Sequence, residues 1–370
     1  MPTSQTPFLV LTSILIISTI YLILSPVKKF PSGDYNKRYK IAVFLCLVFC
    51  IFSFWDTDWF HYLDAFDNLK AGFSGHMEEV YVWIAQHISP NYYVFRLVVW
   101  GVAFLLFLRT IQLLSVSKPL ALFFFGTIYI IWFSYARASL AMVMVFYGAA
   151  ILYGNQKRSI SRLIIGIVLI ISAFYFHKSA IFVILVFIVT SVSEKYPKSF
   201  IWMMLVAFPL MIFLAKSQLS SFILMDFESN GDMSEYMAAG QRYMEKNASN
   251  MGIGALLQRS LEVLPYYGIA YISFKELRAE KCGMIPIDIK VFMLMQIVIV
   301  LISSIFLFDF GLNTSTIYIR FIRFAAIPTC IVMAYMYEHK LSFKLIKVFI
   351  MIATVGTFYA MLYSLYNTLV

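Results

Sequence analysis

Residues 163–192 read LIIGIVLIISAFYFHKSAIFVILVFIVTSV: two runs of nearly unbroken hydrocarbon, 163–176 and 179–192, meeting at His177 and Lys178. A helix needs ~20 apolar residues to cross a bilayer, and each run approaches that length. An imidazole and an ammonium at the tip of such a hairpin are costly in lipid, so they face water, a protein cavity or a bound anion.

The rest of the chain extends the pattern. Its 370 residues are 61% hydrophobic and 13% charged, with a mean hydropathy of +0.82. A soluble domain is nearer about a quarter charged, so the composition predicts an all-α, polytopic integral membrane protein. Twelve candidate spans follow, at 7–24, 40–55, 93–114, 119–135, 138–154, 162–176, 179–193, 199–215, 256–274, 289–308, 321–338 and 345–366. Several are short, which predicts helices extended into flanking residues or broken helices lining a cavity. Met1–Thr6 carry no charged side chain and no small-residue cleavage site follows Leu24, so the first span is expected to be retained.

Charge sets the orientation. The net charge of +10 does not point to nucleic acid, because the basic residues are scattered through short connections. Connections 25–40, 109–118, 155–162, 194–198, 275–290 and 339–347 hold 19 of the 29 Lys and Arg residues. The alternate connections, with the span ends beside them, hold 10 basic residues and 13 of the 19 acids. The first set is therefore expected in the cytoplasm, with both termini and the His177–Lys178 tip outside. Cys46, Cys50, Cys282 and Cys330 have no zinc or disulfide spacing and read as small core residues or a loop residue.

Two external segments are long enough to fold. Residues 56–91 carry Asp56, Asp58, Asp64 and Asp67, then an aromatic stretch at 77–87 with the character of an interfacial helix. Residues 216–255 are polar, broken by Gly231 and Gly240, and read as a partly helical cap. No period of 20–50 residues points to a solenoid.

The external helix ends carry an unusual set of cations: Arg137, the His177–Lys178 pair, Arg259, and Arg320 with Arg323. Each alone reads either as a side chain snorkelling to lipid phosphate or as an anion ligand. Arg320 and Arg323 are spaced i, i+3 on one helix face, and planar forks suit the oxygens of a diphosphate. His177 reads as a structural hydrogen-bond partner or, in an anion pocket, as a base or donor. Asp56 and Asp58, set among Trp55, Trp59, Tyr62 and Phe66, read either as a solvated loop start in an aromatic belt or as a sugar-binding site. In the second reading a carboxylate takes a proton from a hydroxyl and aromatic faces stack on sugar rings. No Walker, Rossmann or HExxH motif is present, and no metal site or cofactor is expected. An enzyme of this sequence would rely on a substrate that brings its own activated bond.

The order Asp56-x-Asp58-x-x-x-Tyr62 after an early span, Arg137-x-x-Leu-Ala141, Phe176-His-Lys-Ser-Ala180 and Tyr318-Ile-Arg-Phe-Ile-Arg323 resembles the EpsG-like and Wzy-type polysaccharide polymerases of bacterial envelopes. The resemblance spans roughly residues 40–330. It implies a GT-C-like multi-helix bundle with periplasmic loops in the bacterial inner membrane. The implied glycosyltransferase, serving O-antigen, capsule or exopolysaccharide assembly, moves an undecaprenyl-diphosphate-linked glycan onto a lipid-linked repeat unit. Membrane lipids and a chain-length regulator are its expected partners. In that setting Arg137, Arg259, Arg320, Arg323 and Lys178 hold the diphosphate, and His177 or Asp58 serves as base. Asp56, Trp59 and Tyr62 line the sugar site. An O-antigen ligase, a GT-C-like enzyme using a prenyl-monophosphate sugar, and a lipid-linked glycan flippase are the alternatives.

Overall fold

In a computed structural model, residues 32–51, 57–72, 78–133, 138–154, 159–193, 199–200, 202–204, 206, 253–279, 284–310 and 321–369 are described. Among the described residues the secondary structure is helical throughout, with no strand. The helices are α1 (Ser32–Ile51), α2 (Thr57–Lys70), α3 (Glu79–His87) and α4 (Tyr92–Leu113). Then come α5 (Lys118–Ile128), α6 (Ile130–Phe133), α7 (Ala138–Tyr153), α8 (Ile160–Phe176) and α9 (Ala180–Ser193). The second half holds α10 (Ile253–Arg278), α11 (Ile287–Phe310), α12 (Ala326–Glu338) and α13 (Phe343–Leu369). The expected spans 7–24 and most of 199–215, and nearly all of the expected cap at 216–255, lie outside the described residues.

Two of these helical stretches, Tyr92–Leu113 and Ile287–Ser304, are long and apolar enough to cross a membrane. The packing has the polarity of a protein in lipid. Helix α7 is buried on nearly every side, between α4, α8 and α9. Helix α12 is buried in the same way, between α5, α10 and α11. Outside them the surface is aliphatic: Leu163, Ile164, Ile165, Val168 and Ile171 of α8 and Leu185, Ile188 and Val192 of α9 are all exposed. Water would penalise that face, whereas acyl chains match it.

Where lipid surrounds a bundle, small residues and interhelical hydrogen bonds hold it together. Helices α7 and α8 cross at Gly148 and Gly166, where a Cβ on Gly148 would stand 2.7 Å from the Gly166 carbonyl oxygen. At the centre of the second half, Gln296 of α11 accepts from Ser273 Oγ of α10 at 2.9 Å. Its amide donates to Thr329 Oγ1 of α12 at 3.0 Å, and Tyr267 and Ser304 hydroxyls meet at 2.6 Å. These bonds fix α10, α11 and α12 in one register.

Contacts at the two ends sort the connections. At one end Ser115 N donates to Asp288, Ser117 N donates to Glu338, and Ser342 Oγ donates to Glu276. These groups come from the connections 109–118, 275–290 and 339–347 and from Glu338 beside the last. At the other end Arg96 meets the C-terminus of α1, Glu78 meets His177, and Glu262 meets Arg323. Three of the connections that the basic-residue bias assigns to one face, 109–118, 275–290 and 339–347, thus meet at one end.

Candidate active site at one end of the bundle

His177 owes its place to a break between two helices. Helix α8 begins at Ser159, whose side chain accepts from Arg162 N, and it ends at His177, where the backbone turns extended (φ −163°, ψ 125°). The His177 N–H still donates to Ala173 O, while its carbonyl accepts from Ala180 N at the start of α9. One residue therefore closes one helix and opens the next, which holds its ring at the tip. His177 Nδ1 lies 3.2 Å from Glu78 Oε1, just ahead of α3. Below them the Tyr81 ring packs edge-on against Phe176. The stretch expected at 77–87 as an interfacial helix is helix α3, which buries Tyr81, Ile84 and Ala85 and exposes Trp83.

Arg323 sits in a 3₁₀ turn, Arg323–Ala325, that precedes α12. Its Nε donates to Glu262 Oε1 at 2.6 Å and its Nη2 to Glu262 Oε2 at 3.3 Å, a two-pronged ion pair that fits the planar fork. Glu262 lies one turn after Arg259 on α10, and both Arg259 and Arg323 are within electrostatic reach of it. Arg259 is half-buried, and its Nη1 is enclosed without a hydrogen-bond partner among the described residues. Two guanidiniums around one carboxylate leave a net positive charge, and one enclosed donor has no partner among the described residues.

Three helix irregularities converge here. The span expected at 119–135 is broken: Tyr129 leaves helical geometry (φ −130°, ψ −19°), separating α5 from α6. Pro265 lies inside α10 and cannot donate to the Leu261 carbonyl one turn back. The third is the 3₁₀ turn at Arg323. A small cavity of about 20 Å³ lies between the first two, lined by Thr127, Tyr129, Glu262, Pro265, Gly356 and Thr357 among others. Thr357 donates to the Thr127 carbonyl near the end of α5, where helical acceptors are unsatisfied. Gly356 lets α13 lie against the kink, because a Cβ there would come 3.1 Å from the Leu261 oxygen. Irregular backbone at membrane depth is tolerated where it lines a cavity or is buried in protein.

The histidine tip and the arginine cluster belong to one end of the bundle. Phe182, five residues after His177, packs on Phe321 and Phe324 with ring centroids 4.8 and 5.8 Å apart. Lys178 is exposed beside His177. Arg137, Arg320 and Asp56 lie outside the described residues. Asp58, Trp59 and Tyr62 fall on α2, whose backbone is described there but whose side chains at those positions are not.

Three residues here escaped the sequence reading. Glu262 stands in Ser260-Leu-Glu-Val-Leu264, and an acid three residues from Arg259 in an apolar run was a usable signal. Glu78 finds its partner 99 positions along the chain, which no local pattern reveals. Arg96 is fully buried: it donates to the Cys50 and Ile51 carbonyls and to Tyr92 OH, and stands 4.5 Å from the Trp100 ring. It neutralises the negative end of α1.

A bundle of apolar helices with an aliphatic exterior and a cluster of cations at one end is that of a helical membrane protein. Residues 37–369 match the EpsG family, and the chain belongs to that family, which is one of Wzy-like polymerases. No curated protein and no solved structure matches it.

Proposed function

We propose that this protein is a polysaccharide polymerase of the bacterial inner membrane, with about twelve spans and its active site facing the periplasm. It transfers a glycan from undecaprenyl diphosphate to a lipid-linked repeat unit and releases undecaprenyl diphosphate. The observation that carries the reading is the Arg259–Glu262–Arg323 cluster, on the same end of the bundle as His177.

The chemistry needs little else. The acceptor hydroxyl attacks the anomeric carbon, the bond to the diphosphate breaks, and the diphosphate leaves with the bonding pair. Arg259 and Arg323, joined by Arg137, Arg320 and Lys178, stabilise the charge that grows on the leaving group. Glu262 keeps two guanidiniums from repelling one another before the anion arrives. His177 takes the hydroxyl proton, with Asp58 as the rival base, and Asp56, Trp59 and Tyr62 hold sugar. The exposed aliphatic flanks leave the prenyl chain in lipid while its head reaches the cluster.

The test is the glycan profile of a deletion strain carrying wild type or His177→Ala. Deletion should leave single repeat units on the surface, and only wild type should restore the ladder of long chains. His177→Ala should accumulate at the normal membrane level without a ladder. A full ladder from this variant removes His177 from the reaction. Unattached, lipid-linked polymer in the deletion strain assigns the protein to ligation instead.

A further inference from the structure

We infer that Glu78 is a positioning residue for His177: its carboxylate accepts the Nδ1–H bond and so leaves Nε2 as the basic nitrogen of the ring. This rests on the reading of His177 as the proton acceptor given above.

Two groups compete for Nδ1. Glu78 Oε1 lies at 3.2 Å and requires a proton on Nδ1. The Ser179 N–H lies at 3.5 Å and requires a lone pair there. A neutral imidazole cannot satisfy both. The carboxylate contact is shorter and charge-assisted, whereas the amide contact is at the limit of a hydrogen bond, so the carboxylate decides the tautomer. The pair is partly enclosed, with side-chain exposures of 26% for His177 and 10% for Glu78, and low access to water strengthens the interaction. Neighbouring Glu79 and Lys178 are exposed, where solvent screens them.

The consequence for the reaction is directional. When the acceptor O–H breaks, its proton goes to Nε2 and its oxygen bonds the anomeric carbon as the diphosphate leaves. The resulting imidazolium keeps its Nδ1–H on Glu78, whose negative charge stabilises the positive ring that forms.

A mere tether between the 78 region and the α8–α9 turn predicts something different. Gln at 78 preserves length and can still accept from Nδ1–H, so a tether tolerates Glu78→Gln better than Glu78→Asp. A charge that stabilises imidazolium reverses that order. In the deletion strain, at equal membrane levels, Glu78→Gln should lower long-chain polysaccharide by about 10²-fold, while Glu78→Asp retains more. The protein has five histidines, so ¹⁵N-histidine labelling in nanodiscs, with His177→Asn as the difference sample, reads the tautomer without substrate. Wild type should show protonated Nδ1 and unprotonated Nε2. A ladder from Glu78→Gln equal to wild type, or a wild-type His177 protonated at Nε2 alone, overturns the assignment. If His177→Ala keeps its ladder, the fault lies with the role of His177 itself, and the labelling result still stands on its own.

Discussion

Two arginine environments lie at the same end of this bundle, and they differ in how fully their guanidiniums are partnered. Arg96 is fully buried and spends its guanidinium on the fold: two carbonyls closing α1, the Tyr92 hydroxyl and the Trp100 ring face. Around Glu262 the charges do not cancel. One guanidinium is held in a two-pronged pair, and a second, on Arg259, stands beside it with an enclosed Nη1 lacking a partner among the described residues. A cation saturated by carbonyls and an aromatic ring has no capacity left for a ligand. Two cations sharing one carboxylate retain a net charge, and they do so next to a break in the helices. Position at one end of the bundle is thus not enough to nominate an arginine for the proposed anion site; its partners must be counted as well.

The sharpest way to break this comparison is to truncate one arginine from each environment. Arg259→Ala should keep its membrane level and thermal melt in detergent, while long-chain polysaccharide falls by about 10²-fold or more. If instead it loses the melt and keeps the ladder, the roles of the two environments are exchanged. Arg96→Ala should do the reverse and lose about 4 kcal/mol of stability, since several charge-assisted hydrogen bonds and a cation–π contact go together. Thermal denaturation followed by tryptophan fluorescence reads this, and a fully stable Arg96→Ala protein would show the clamp to be dispensable.

Arg323 sharpens the contrast from within its own pair. Arg323→Ala leaves Glu262, only 6% exposed at its side chain, without its hydrogen-bonded partner and with Arg259 as its nearby cation, and should cost about 3 kcal/mol. Adding Glu262→Ala should recover most of the melt and none of the polymer. Recovery of both would mean that the pair serves the fold alone. The smallest effect is expected at the centre of the bundle, away from either arginine site. Gln296→Leu removes bonds to Ser273 and Thr329 and should cost about 1 kcal/mol, with the ladder retained.

Much of the helical layout is legible in the sequence, because hydrocarbon runs in a membrane protein record their own extent. The reading at 163–192 anticipates α8, α9 and the His177 turn between them almost to the residue. Alternation of basic connections anticipates which ends meet, as Ser115–Asp288 and Ser117–Glu338 demonstrate. Partnership is another matter. That Arg323 would face Glu262, and that Arg96 would close α1 from 46 positions away, depends on which helices become neighbours. Hydropathy carries no information about that order. The break at Tyr129 is similarly hidden: the one proline of that apolar run, Pro119, stands at the helix start ten residues earlier, and the short apparent span was the trace of the break.

One feature of α4 reaches further than its five residues suggest. The turn Leu97–Gly101 is a π-turn set within an otherwise α-helical rod. Such a turn accommodates one surplus residue, and one residue amounts to about 100° of rotation about the helix axis. The two halves of the rod are therefore phased independently. The first half aims Tyr92 and Arg96 at the α1 terminus, and the second buries Phe104, Phe107 and Ile111. Deleting a single residue there would restore regular winding yet force a choice between clamp and core. The surplus residue acts as a phase shifter, letting one continuous helix serve two neighbours whose demands no uniform helix could meet.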